Sequence, residues 1–248
     1  MDPVGWANSA GDWMSEGQNA SSNARLFDQC AVFRTLSDDD RIELLKRSSR
    51  RHFTSGQMIF RYRTPGQSMM VLLGGEVRIS LPERNGRAII LADLQRGAIL
   101  GEMSVLDGEE RSADATALTA CELLALERSD VLAFLERHPS VCLDILHMVC
   151  ARLRDANERT LDLGFLDVPS RLAKILLARA KKRGNTATGG ASLRISDSQG
   201  DLAAMIGASR EKVNRSLKQM QQQGIVATRD GRIEILDQAA LESVAGLT

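Results

Sequence analysis

The sequence predicts an α+β fold in which a β-roll, a long helix and a small helical domain closed by a hairpin follow one another along 248 residues. Three observations carry that expectation. Glycines punctuate short apolar runs between Phe53 and Leu126, and a heptad repeat of mostly apolar residues runs from Cys142 to Leu163. Two short helical segments joined at Gly207 then precede a turn signal at Asp230–Gly231. At about 150 residues per domain the length suits two cores.

Hydrophobic residues at 43% and charged residues at 26% match an ordinary globular chain. No apolar run reaches the ~18 residues of a membrane span. The N-terminus carries Asp2, Asp12 and Glu16 instead of a basic region before an apolar one, so no secretory signal is read and a cytoplasmic location is expected. Cys30, Cys121, Cys142 and Cys150 lack CxxC spacing, which argues against a disulfide framework.

Residues 1–24, rich in Ser, Asn, Gly and Ala, read as a disordered tail in which Trp6 and Trp13 have no assigned role. Ser37 before Asp38, Asp39 and Asp40 caps a short helix. The glycines that follow recur at the 8–12-residue spacing of an all-β barrel or sandwich, giving about eight strands. Val77, Ile79 and Leu81 alternate with Arg78 and Ser80, and Asn85–Gly86 is the hairpin turn that follows. This roll spans 25–139 and closes with a short helix capped by Ser129 and ended at His138–Pro139.

A helix over 140–164 comes next. Cys142, Leu146, Val149, Leu153, Ala156, Thr160 and Leu163 alternate spacings of four and three, the 3.5-residue period of a coiled coil, and predict a homodimer seam. Phe165–Leu166–Asp167–Val168 is the expected hinge, with Asp167 or Ser170 available to cap the helix that follows. The last domain, 169–248, contains a basic helix to Arg183, a Gly/Thr-rich loop at Gly184–Ala191, two short helices, the hairpin and a terminal helix opened by Asp237.

Net charge is zero, but its distribution is uneven. From Val168 to Arg232 thirteen Lys and Arg face four acids, a surplus of nine that the rest of the chain balances with acids. Such a basic part suits a polyanion.

Two constellations carry chemistry. The first is Gly101-Glu102-Met103-Ser104-Val105-Leu106-Asp107-Gly108-Glu109-Glu110-Arg111-Ser112-Ala113. A carboxylate at Glu102 can accept from a ribose hydroxyl, Arg111 can pair with a phosphate, and Ser112 with nearby backbone N–H groups can complete an anion cradle. This run resembles the phosphate-binding cassette of cyclic-nucleotide-binding domains in the Crp/Fnr superfamily, and the resemblance extends over about residues 26–236. It implies that Glu102 holds the ribose 2′-hydroxyl and Arg111 the cyclic phosphate, with Gly101, Met103, Ser112 and Ala113 around them.

The second is Asp201–Gln223. Leu202 and Ile206 share one face of a short helix, Gly207–Ala208 turns the chain, and Ser209 caps a second helix whose Val213, Leu217 and Met220 point inward. The opposite face presents Arg210, Glu211, Asn214, Arg215 and Lys218, with Lys212 beside them; the unit reads as a helix-turn-helix whose second helix enters the major groove. Ala208-Ser209-Arg210-Glu211-Lys212-Val213-Asn214-Arg215 resembles the recognition helix of the same superfamily. The resemblance implies that Arg210, Glu211 and Arg215 read bases, an arginine fork suiting guanine and a carboxylate suiting the cytosine amine.

The chain is thus expected to be a dimeric, non-enzymatic regulator that binds a double-stranded DNA operator under cyclic-nucleotide control, with RNA polymerase as a further partner; whether Gly184–Ala191 touches it is left open. No catalytic cofactor or metal is expected. In the superfamily's cyclic-AMP-binding members a threonine and a serine of the long helix face the adenine. Ala156 and Asn157 stand at those positions, and Arg152 lies one turn earlier. The threonine hydroxyl is missing, and an asparagine amide can serve adenine or guanine, so cyclic AMP is placed first and cyclic GMP kept open. Two other readings compete: a nucleotide-hydrolysing enzyme, for which no metal cluster is visible, and a regulator on the same scaffold that senses a redox or haem-linked signal or needs no nucleotide. His52, His138 and His147 lack ligand spacing, and Asp107, Glu109 and Glu110 read as a solvated loop.

Overall fold

The computed structural model describes residues 27, 30–83, 87–182, 193–195, 197–229 and 232–247. The expected N-terminal tail, the Asn85–Gly86 and Asp230–Gly231 turns and the Gly184–Ala191 loop lie outside the described residues. The chain parts into two compact units at Arg152–Leu153, with residues 83–90 grouped with the second.

Eight antiparallel strands form the roll: β1 (Ser48–Phe53), β2 (Met58–Phe60), β3 (Ser68–Gly74), β4 (Val77–Pro82), β5 (Ala88–Leu94), β6 (Ile99–Leu100), β7 (Asp114–Ala117) and β8 (Cys121–Glu127). They make two four-stranded sheets, ordered β1-β8-β3-β6 and β2-β7-β4-β5. Strand β3 shows why its sequence is a continuous apolar run. Met70 and Leu72 pack with Phe53, Val77 and Leu123 in one core, while Met69, Val71 and Leu73 pack on the other face with Phe33, Phe134 and Val141. A strand covered on both faces has no polar alternate position.

Helix α1 (Asp38–Lys46) starts where expected, the Ser37 hydroxyl accepting from the Asp40 N–H at 3.2 Å. A six-residue helix, α2 (Glu102–Asp107), opens from Gly101, and α3 (Arg128–Arg137) follows β8 directly. The cap expected at Ser129 is displaced: Glu127 holds that position without a side-chain bond, because β8 runs straight into the helix.

Helix α4 (Pro139–Phe165) carries two apolar stripes, and two residues of the expected seam lie on the inner one. Val141 and Ile145 are buried, and Cys142, Met148 and Val149 pack against the same core. Leu143, Leu146, Cys150 and Leu153 are exposed, as are Asn157, Thr160 and Gly164. Of the expected seam, Leu146, Leu153, Ala156, Thr160 and Leu163 are exposed, whereas Cys142 and Val149 pack against the roll.

In the second unit, α5 (Val168–Lys182), α6 (Gln199–Ile206), α7 (Arg210–Gln222) and α8 (Gln238–Val244) surround a core of Leu172, Leu176, Leu202, Val213, Leu217, Ile233 and Leu241. Strands β9 (Leu193–Ile195), β10 (Val226–Arg229) and β11 (Arg232–Ile235) form a sheet in the order β10-β11-β9. Asp167 caps α5, its carboxylate accepting from the Ser170 N–H at 2.9 Å. That bond and the Ser170 hydroxyl hold the Asp167 carboxyl below its ordinary pKa. The last turn of α4 is tied down by Arg171, which donates to the Leu163 and Leu166 carbonyls at 3.3 Å each, and by Lys174, 2.6 Å from Asp162.

Candidate functional site

The cassette is built where β6 gives way to α2 and where the chain returns through Arg111 to β7. Gly101 adopts a left-handed conformation, φ 76°, which turns the chain so that Glu102 enters α2 pointing inward. Glu102 is 2% exposed and Arg111 is 4% exposed. Two ionisable side chains at that depth need a physical reason.

Arg111 is surrounded by neutral acceptors. Its Nη1 donates to the Gly101 carbonyl and to Ser104 Oγ, both at 2.8 Å, and its Nη2 to the Ser68 carbonyl at 2.7 Å. The guanidinium lies 4.4 Å from the centre of the Phe60 ring, and its buried Nε has no partner. Burial lowers the Arg111 pKa, an effect that the charge of Glu102 partly opposes. No carboxylate lies within ion-pair distance of Arg111 among the described residues. A buried cation with dipoles but no counter-ion is arranged to meet an anion.

The room for this arrangement comes from two glycines, Gly101 of the cassette and Gly66, which the sequence reads only as punctuation between strands. A Cβ on Gly66 would collide with Ser104 and lie 2.8 Å from Arg111 Nε, and one on Gly101 would collide with Arg111 Nη1. The loop between β2 and β3 also fixes the Arg111 backbone: Arg63 N–H donates to the Arg111 carbonyl at 2.9 Å, and Arg111 N–H to the Thr64 carbonyl at 2.8 Å.

Glu102 has one satisfied and one unsatisfied oxygen. Arg152, at the end of the first unit, donates from Nη1 to Glu102 Oε1 and from Nη2 to the Ile99 carbonyl, the latter at 2.6 Å. Glu102 Oε2 is buried without a partner, an acceptor suited to a hydroxyl donor. Ser112 and Met103 are exposed at the cassette surface, the Ser112 hydroxyl 3.4 Å from Met103 Sδ, and Ala113 is buried. The structure thus brings Gly101, Glu102, Met103, Arg111, Ser112, Ala113 and Arg152 together. Ala156 and Asn157 are exposed on α4 past the division between the units. Sequence reasoning missed Phe60, Gly66, Ser68 and Ser104. An isolated glycine after Pro65 was the available signal for the second of these.

In the second unit, α6 begins with a capping box, Ser198 and Asp201 each satisfying the other's backbone, and ends at Gly207. Ser209 then caps α7, accepting from the Lys212 N–H at 3.3 Å. Val213, Ser216, Leu217 and Met220 are buried, so the helix is held by one face. Arg210, Glu211, Lys212, Arg215 and Lys218 are exposed and Asn214 is half-buried. Hydrogen bonds from its own backbone N–H and from Ser209 keep the Glu211 carboxyl below its ordinary pKa.

Two family descriptions match the chain, the cyclic nucleotide-binding domain over residues 50–138 and the Crp-like helix-turn-helix domain over residues 170–244. The Cyclic AMP receptor protein of Thermus thermophilus is 33% identical over 214 residues, 86% of this chain and 96% of that protein. The chain belongs to the Crp/Fnr family of transcription regulators. Another family member, the CRP-like cAMP-activated global transcriptional regulator of Mycobacterium tuberculosis, is 31% identical over 191 residues, 76% of this chain and 84% of that protein. Among solved structures, the c-di-GMP responsive global regulator CLP of Xanthomonas campestris aligns with a TM-score of 0.73 at 23% identity, over 80% of this chain and 99% of that one, and bears on the fold alone. No described helix of this Crp/Fnr protein is long and apolar enough to cross a membrane.

Proposed function

We propose that this Crp/Fnr regulator is a homodimer whose binding to a palindromic DNA operator is set by a 3′,5′-cyclic nucleotide, with cyclic AMP placed ahead of cyclic GMP. One observation carries the ligand class: among the described residues, Arg111 is a buried cation without a carboxylate partner, close to a buried Glu102 oxygen without a donor. A phosphate diester with a neighbouring ribose hydroxyl answers both needs. Arg111 takes the phosphate charge, Glu102 Oε2 accepts from the 2′-hydroxyl, and Ser112 adds a donor at the rim. The names of the Thermus thermophilus and Mycobacterium tuberculosis relatives, both of which refer to cyclic AMP, support the choice of base.

The exposed stripe Leu143, Leu146, Cys150 and Leu153 is the proposed seam with a second copy. Asn157 lies on the same stripe and reads the base, its amide offering a donor and an acceptor. Ligand binding that engages both the cassette and this helix favours the state that fits DNA, because it stabilises whichever arrangement it binds better. Arg210, Glu211 and Arg215 read base edges of each half-site, while Lys212 and Lys218 hold phosphates. The regulator acts in the cytoplasm with RNA polymerase as a partner.

Calorimetric titration of the full chain with cyclic AMP and cyclic GMP tests the reading. Saturable binding of either, with a preference that Asn157→Ala reduces more than it reduces total affinity, is the expected result. Absence of heat with both nucleotides, together with DNA binding that ignores them, rejects it.

A further inference from the structure

The rim donor of the cassette is already engaged. The Ser112 hydroxyl donates to Met103 Sδ at 3.4 Å, a contact that a ligand phosphate has to replace. A thioether is a weak acceptor, so a charged phosphate oxygen displaces it readily. Met103 also lies open to reagents, 45% exposed at the second position of α2 beside the buried Glu102. Other described methionines are placed differently: Met69, Met70 and Met220 are buried, and Met148 and Met205 are half-buried. Met58 is 38% exposed and accepts from a hydroxyl in the same way, Thr116 Oγ1 at 3.6 Å, but that threonine lies on β7 outside the cassette.

A hydroperoxide that reaches Met103 converts it to the sulfoxide. The sulfur lone pair forms an S–O bond as the O–O bond breaks, and the proton on the transferred oxygen passes to the departing hydroxide, giving water. Sulfur is oxidised by two electrons and the peroxide is reduced by two. The product carries a polar oxygen, a stronger acceptor than the thioether, beside the same hydroxyl. Ser112 is then held away from the ligand, and the cassette loses its rim donor while Arg111 and Glu102 stay in place.

We propose that Met103 is an oxidation site that lowers the affinity of the cassette for its nucleotide, the sulfoxide oxygen competing with the phosphate for the Ser112 hydroxyl. This rests on the ligand class given to the cassette above.

Calorimetry with cyclic AMP and cyclic GMP tests it on the full chain before and after hydrogen peroxide, with peptide mass spectrometry to follow Met103. A dithiothreitol wash after the peroxide restores reversibly oxidised thiols and leaves sulfoxide in place. Loss of one neutral hydrogen bond corresponds to a fall in affinity of about fivefold, which the two methionine sulfoxide reductases that cover both epimers should reverse. The fall should be absent in Met103→Leu and in Ser112→Ala, each compared with its own untreated sample, and should persist in Met58→Leu. A fall that persists in Ser112→Ala overturns the proposal, because it marks added bulk at the rim and not competition for the hydroxyl. So does a fall that Met103→Leu retains, an affinity unchanged once Met103 is oxidised, or a Met103 that peroxide leaves intact. If the untreated chain binds neither nucleotide, the ligand class fails and the oxidation site with it, whereas untreated binding that ignores peroxide removes the oxidation site alone.

Discussion

Arg152 donates to Glu102 through one carboxylate oxygen and leaves the other buried without a partner. The pair fixes the carboxylate in place before any ligand arrives, so its free oxygen costs little further ordering when a hydroxyl approaches. Arg111 is prepared in the same way by three neutral acceptors and the Phe60 ring.

Replacing Arg111 by leucine removes the charge proposed to meet the phosphate. Nucleotide binding should be lost, corresponding to roughly 2–5 kcal/mol, while circular dichroism still reports a folded chain. Calorimetry that returns near-normal affinity for Arg111→Leu would sink the assignment of the cassette.

The two stripes of α4 give opposite expectations for neighbouring residues. Leu143→Asp or Leu153→Asp should dissociate the dimer in sedimentation, because each places a carboxylate in the exposed seam. Val149→Ala should leave the dimer intact and cost the roll roughly 1–2 kcal/mol in thermal unfolding, since Val149 packs against its core. Dissociation by Val149→Ala with no effect of Leu143→Asp would restore the seam read from the sequence.

The cations on α7 are proposed to divide by task. Arg210→Ala or Arg215→Ala should cost about 1–3 kcal/mol on the selected operator and relax one base preference per half-site. Lys212→Ala and Lys218→Ala should weaken binding to all sequences and lower the salt slope by about one each. Fluorescence anisotropy on specific and random duplexes over a salt series distinguishes them, and an equal loss on both duplexes for Arg210→Ala refutes its reading role.

The cap at Asp167 gives a pH dependence with a definite sign. Its carboxyl pKa is lowered in the folded chain, so the charged form is favoured by folding. The contribution is fully present above the ordinary carboxylate pKa and is lost as pH falls through the lower, folded value. Asp167→Ala should therefore lower stability by about 1 kcal/mol at neutral pH and by much less in strong acid. A penalty for Asp167→Ala that is the same at both pH values contradicts the cap.

What was legible in the sequence follows local chemistry. Ser37, Ser209 and Asp237 cap helices as read, because a cap depends on one hydroxyl or carboxylate and the N–H two or three residues on. The inner face of α7 was legible for the same reason, one helix having one buried side. Helix α4 has two apolar sides, and a period of 3.5 does not say which heptad faces the roll and which faces outward. Glu102 and Arg111 were found through their shared run of residues. Ser68, Phe60 and Gly66, which hold or make room for Arg111, come from strands and loops more than forty residues earlier, and no spacing rule joins them.

The glycines at 66 and 101 set an asymmetry in how this regulator can change over generations. One added methyl at either position meets Arg111 or Ser104, so a single codon change disturbs the cassette while the sheets and the helix-turn-helix domain keep their cores. The reverse route needs a small residue, a buried cation and a buried carboxylate to be present together, because each is costly without the others. Loss of the proposed ligand control is thus one step away, and its recovery is several.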